Sequence, residues 1–289
     1  MKKSKKALAQ KIQNAITKPF SDELIKLIKP AVRIIPEKNP SNKLSLSKFG
    51  GIPLIKKGEK WIRTEKHKEP YAFLLQIDLE EINSFDIENR FPKKGILSFW
   101  VHSWNDGKVL YFKNKNELVK AILPFEYEEI NKRKKLPFWK RFFTPEINFK
   151  LYPECPLSFE VEYHAPSWDS LQMRLLHITN NTKSRDLEIK EEYIVEYYED
   201  KPDHHLFGYY LGLQESTYEL TRITKGRYKR KLSQELIREG LKWKLLLQID
   251  TDDITDMSWV DGGKILFFIK DNDLKKENFD NLIVQLDTT

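Results

Sequence analysis

The sequence predicts an α+β fold in which mixed or antiparallel sheets form two related lobes with helices at their periphery. Three observations carry that expectation. Apolar residues recur at helical spacing near the N-terminus, short apolar runs broken by turn residues dominate from Val32 onward, and one five-residue segment occurs twice.

The elements follow in order. Leu8, Ile12 and Ile16 recur every fourth residue, so residues 4 to 17 read as an amphipathic helix. Ser21 is placed to cap a second helix with Asp22 and Glu23 in its first turn, running to Lys29 and stopping at Pro30. Strands then take over. The clearest hairpin is Ile96 to Trp104, a turn at Asn105-Asp106-Gly107, and Val109 to Phe112, because those turn residues tolerate positive φ. A second hairpin is expected at Asp261-Gly262-Gly263, leading into Ile265 to Ile269. Residues 186 to 199 and 232 to 240 read as helices, the latter ended by Gly240.

The repeated segment organises the whole. Leu74-Leu75-Gln76-Ile77-Asp78 recurs letter for letter as Leu246-Leu247-Gln248-Ile249-Asp250. A Gly-led strand follows each copy, from Gly95 and from Gly263, and an aromatic-glycine turn precedes each, at Phe49-Gly50 and Phe207-Gly208. The chain accordingly divides into a basic N-terminal helical extension (1–30), a first lobe (31–130), a basic Pro-rich linker (131–156) and a second lobe (157–289).

Composition narrows the class. Hydrophobic residues at 40% and charged residues at 32% describe a folding chain, not a disordered one. The single cysteine, Cys155, permits no intrachain disulfide, which favours a reducing cytoplasmic setting. The N-terminal lysines are not followed by an apolar run, and no segment approaches the roughly 18 apolar residues of a membrane span, so neither a signal peptide nor a transmembrane protein is expected. The net charge of +7 lies mostly in residues 1 to 30, where eight Lys face Asp22 and Glu23. The body is close to neutral, which weakens the inference from a basic isoelectric point to nucleic acid or anionic membrane.

Several segments together resemble the YwqG-like family, a domain of unknown function. Ser47-Lys48-Phe49-Gly50-Gly51-Ile52-Pro53, Trp61 and Pro70 to Asp78 are similar to its first signature, and Gly95 to Trp100 to the strand after it. Pro166-Ser167-Trp168-Asp169, His205 to Tyr209 and Gln214 resemble the middle signatures; Leu245 to Asp253, Trp259 to Phe268 and Asp273-Leu274 resemble the last. Tyr210-Leu211 and Val260-Asp261-Gly262 depart from the pattern at two turns. The resemblance covers residues 30 to 289 and implies a bacterial α+β protein; it implies no activity, cofactor or catalytic residue.

Chemistry is sparse in the residues themselves. The sequence holds no Gly-x-Ser-x-Gly, His-Glu-x-x-His, Cys-x-x-Cys or Gly-x-Gly-x-x-Gly motif. Asp250, Asp252, Asp253, Asp256 and Asp261 are candidate ligands for a divalent cation, which would relieve their mutual repulsion, but a solvated loop reads equally from the same residues. Gln76 with Asp78 and Gln248 with Asp250 share a strand-face spacing. They suit either a polar ligand at a lobe interface or a bridge between backbone groups in both lobes. The six histidines are scattered, and His204 and His205, as neighbours on a strand, face opposite ways. Lys132, Arg133, Lys134, Lys135, Lys140 and Arg141 interleave with four aromatics. That pattern suits an anionic partner (single-stranded nucleic acid, membrane surface or acidic protein) or a solvated linker, and Arg222 to Lys231 adds six cations. Three functions follow: a non-catalytic binding module with a protein partner, a metal-assisted enzyme using the aspartates, and a nucleic-acid or membrane-surface adaptor.

Overall fold

The computed structural model describes residues 4–16, 18, 20–38, 45–135, 137, 149–167, 170–179, 202–210 and 233–288. The helix expected at 186 to 199, the cations at 222 to 231, Lys140, Arg141, Trp168, Asp169 and Gln214 lie outside the described residues.

The N-terminal helices form where the apolar spacing places them. Ser4 accepts the Ala7 N–H and caps α1 (Lys5–Ala15). Leu8, Ile12 and Ile16 are buried against Phe20, Leu24 and Ile28, and against Ala165 and Met173 of the second half. Helix α2 (Phe20–Lys26) begins one residue before Ser21, so Ser21 lies inside it instead of capping it. It ends earlier than expected, because Lys29 and Pro30 already belong to a strand, β1 (Lys29–Pro36).

Ten strands build one antiparallel sheet. In chain order they are β1, β2 (Lys48–Phe49), β4 (Ala72–Asp78), β5 (Ile96–Ser103), β6 (Asp106–Phe112), β8 (Cys155–His164), β9 (His204–Phe207), β10 (Trp243–Asp250), β11 (Lys264–Lys270) and β12 (Leu282–Asp287). Across the sheet the order is β12-β11-β10-β9-β1-β8-β2-β4-β5-β6. The short β3 (Leu54–Lys56) and β7 (Leu118–Lys120) pair separately. Among the described residues the other helices are α3 (Leu79–Ile82), α4 (Phe125–Lys134), α5 (Leu171–Thr179), α6 (Gln234–Gly240) and α7 (Asp271–Lys275). This is an α+β architecture.

The sheet crosses the boundary between the two segments. β1 pairs with β8 and β9, and β2 pairs with β8, so the segments contribute neighbouring strands to one sheet. The sheet also curls until its edges meet: the Leu286 N–H on β12 donates to the carbonyl of Trp104 beside β6 at 2.8 Å. The inner face holds the main core, with Phe99 and Phe267 from the two halves edge to face at 5.5 Å. Alternation along each strand then turns its other residues outward, where the polar candidates of β4, β8, β9 and β10 lie.

Candidate functional site

The two Gln-x-Asp units occupy matching positions. Gln76 donates from Nε2 to the Leu46 carbonyl at 2.7 Å and accepts the Leu54 N–H at 2.9 Å. Gln248 donates from Nε2 to the Asp203 carbonyl at 2.9 Å. The Asp78 N–H is received by Ser47 Oγ at 2.9 Å, and the Asp250 N–H by His204 Nδ1 at 3.1 Å. Each glutamine ties its strand to the segment leading into the neighbouring strand, and each aspartate amide is held from that same segment. The Asp78 carboxylate caps α3 by accepting the Glu80 N–H and pairs with Lys115 at 2.8 Å. Asp250 accepts the Thr251 and Asp203 amides and lies 3.4 Å from Lys264.

The structure separates the five aspartates considered for a cation. Asp252 is buried, accepts the Ile254 N–H at 2.9 Å and lies 3.1 Å from His204 Nε2. Asp250 is occupied as above. Asp253, Asp256 and Asp261 are exposed, and Asp256 lies 3.5 Å from Lys150. Of the basic candidates, Lys132, Arg133 and Lys134 form the last turn of α4 and Lys135 its C-cap, where cations complement the helix dipole. Lys132 pairs with Glu129 at 2.7 Å.

The convergence of charge lies elsewhere, on the outer face where β8, β1 and β9 run side by side. Glu162 and His164 are two apart on β8 and so share a face. His205 comes from β9, beyond β1. Ala31 of β1 lies opposite Glu162 on one side and Phe207 on the other, and its small side chain leaves room for β8 and β9 groups to meet above it. Gly208 gives further room: a Cβ there would stand 2.5 Å from His164 Nδ1, and its φ of +71° suits glycine. The ligand atoms of Glu162, His164 and His205 all lie within 4.8 Å of one another, and all three side chains are buried.

Hydrogen bonding assigns the protons. His164 Nδ1 accepts the Tyr209 N–H at 3.4 Å, so its Nε2–H donates to Glu162 Oε1 at 2.7 Å. His205 faces oxygen acceptors from both nitrogens: Asp203 Oδ1 lies 3.2 Å from Nδ1, and the Tyr209 carbonyl 3.2 Å from Nε2. Arg33 Nη1 lies 3.7 Å from Glu162 Oε2. Burial pushes the Asp203 carboxyl up, but the neighbouring His205, His164 and Lys264 outweigh it and hold the group well below the usual carboxylate range. Glu162 is likewise raised by burial and lowered further by its His164 bond, ending below its ordinary value.

Motif reading missed this cluster. Glu160-Val161-Glu162-Tyr163-His164 alternates with period two, a signal that puts three polar residues on one strand face. His204 and His205 do face opposite ways, to Asp252 and to Asp203, yet His205 finds its histidine partner on β8, far away in sequence.

A family model described as Domain of unknown function (DUF1963) matches residues 47–288. No curated protein matches the chain.

Proposed function

The chain belongs to the DUF1963 family, a domain of unknown function, and from that premise we propose that it is a non-catalytic binding protein of the cytosol whose partner is another protein. One observation carries this reading. Between the end of β7 and the start of α4, Ile122 is 87% exposed and Phe125 64% exposed, with Val119 of β7 at 43%. Large apolar side chains grouped on a surface mark interaction sites more often than singly scattered ones do. Arg63 lies 5.3 Å from the Phe125 ring centre, and Lys120 and Lys135 are exposed on either side in sequence. A partner presenting apolar residues bordered by carboxylates complements that surface, since interface rims favour opposite charge.

The test is photo-crosslinking from position 122 in cells of the native host. The reading requires one dominant protein adduct, and Phe125→Ser must abolish it while leaving the melting temperature unchanged. Adducts equal to those from an exposed position on another element, such as Gln234, would remove the reading. An RNA or lipid adduct would replace it with an adaptor role.

We further infer that the two halves derive from one repeated unit. In the sheet order β4 and β10 each stand third from an edge, and each kinks at the same letter of the shared pentapeptide: the register shifts between Phe73 and Leu75 and between Leu245 and Leu247. The matching clamps at Gln76 and Gln248 support the same inference. A crystal structure in which the two strands kinked at different letters would overturn it.

A further inference from the structure

We propose that Glu162, His164 and His205 form a binding site for a zinc-class divalent cation. The proposal is independent of the partner surface and uses none of the exposed aspartates.

The donor set is the first argument. Two imidazoles and one carboxylate make an N₂O set with a fourth position left for water, which suits zinc and its neighbours better than the all-oxygen preference of calcium or magnesium. The separations are the second. Glu162 Oε1 lies 2.7 Å from His164 Nε2. Ligand atoms around a tetrahedral zinc stand roughly 3.3 Å apart, as bond lengths of about 2.0–2.1 Å require. The widest separation among the ligand atoms of Glu162, His164 and His205 is at most 4.8 Å, so the three need only close by side-chain rotation to reach that spacing.

Orientation is the third. His205 Nε2 is directed at the Tyr209 carbonyl, which fixes Nε2–H and leaves Nδ1 as the ligating nitrogen, the outer-shell arrangement found around bound metals. Ligation through His164 Nε2 moves that ring's proton to Nδ1 and gives up the bond from the Tyr209 N–H, which at 3.4 Å is already long.

Metal content of the untagged full-length protein, purified from zinc-supplemented culture and dialysed against metal-free buffer, tests the site. Near-stoichiometric zinc is expected, falling at least tenfold in His205→Gln and in His164→Gln and remaining unchanged in Asp253→Asn/Asp256→Asn. Because a histidine variant may fail to fold, the wild-type chain carries a second readout. Cobalt added after chelator stripping should give the intense visible absorption of a tetrahedral site and raise the melting temperature. Wild-type protein with less than a tenth of an equivalent of metal and no cobalt spectrum overturns the proposal. So does zinc that persists undiminished in a folded His205→Gln chain.

Discussion

Leu286 donates its backbone N–H to the Trp104 carbonyl at 2.8 Å, and this bond joins the last strand to the tip of the β5–β6 hairpin. The seam leaves little space. A Cβ added at Gly107 would stand 2.8 Å from the Trp100 carbonyl oxygen, 2.9 Å from Val284 and 3.1 Å from Phe267. Gly107→Val therefore must push β6 away from β12. We expect it to destabilise the fold by about 2 kcal/mol or more, the cost of overpacking a filled core. Urea unfolding checks this, and a variant as stable as wild type would mean that the seam tolerates opening.

The paired glutamines make a second prediction. Gln76→Leu leaves the Leu54 N–H and the Leu46 carbonyl without their side-chain partner inside the protein. Each orphaned buried group costs about 1–3 kcal/mol. We expect a loss of about 2 kcal/mol or more, and a comparable loss for Gln248→Leu through the Asp203 carbonyl. If these glutamines served a ligand, the leucine variants would keep their stability and lose only binding.

The aspartate loop separates by burial. Asp252 holds the Ile254 N–H and lies against His204, whereas Asp253 and Asp261 are exposed. Asp252→Ala is expected to cost about 2 kcal/mol by leaving those groups unpaired, while Asp253→Asn and Asp261→Asn change stability by less than about 0.5 kcal/mol. Chemical denaturation of the three variants decides it. Equal, large losses would indicate that the loop acts as one unit.

These contrasts show what sequence patterning records. The period-four stripe of α1 and the shared pentapeptide are local signals that appear at their expected places; the β5–β6 hairpin forms too, but it turns at Trp104 and Asn105, so Asp106 and Gly107 already belong to β6 and take no positive φ. Ser21 lies inside α2 and not at its cap, because capping chemistry is local whereas the burial of Phe20 at the helix start is tertiary. The His164–His205 contact was illegible for a stronger reason. It depends on β1 lying between β8 and β9 and on a small Ala31 at the crossing, and long-range strand order leaves no trace in residue spacing. The five aspartates illustrate the converse: neighbours in sequence, they fall into Asp250 and Asp252, held by backbone amides, Lys264 and His204, and Asp253, Asp256 and Asp261, which are exposed.

Lys29 carries the last prediction. At the start of β1 its ammonium lies 4.7 Å from the Tyr209 ring, and burial first, then Lys244, lowers its pKa to about 8 from an ordinary 10.5. The sign follows from proton counting. Below pH 8 the amine is charged in both states, so the folded protein bears the whole cost of burying it. Between pH 8 and 10.5 the unfolded chain keeps a proton that the folded chain has shed, and stability rises with pH. Tyr152, pushed up to about 12 by burial, acts oppositely above pH 10, so measurements belong below that point. Relative to Lys29→Met, wild type should gain about 2 kcal/mol between pH 7.5 and 9.5, read as the difference in urea-unfolding free energies. Parallel curves for the two proteins would mean that the ammonium reaches solvent and carries no burial cost.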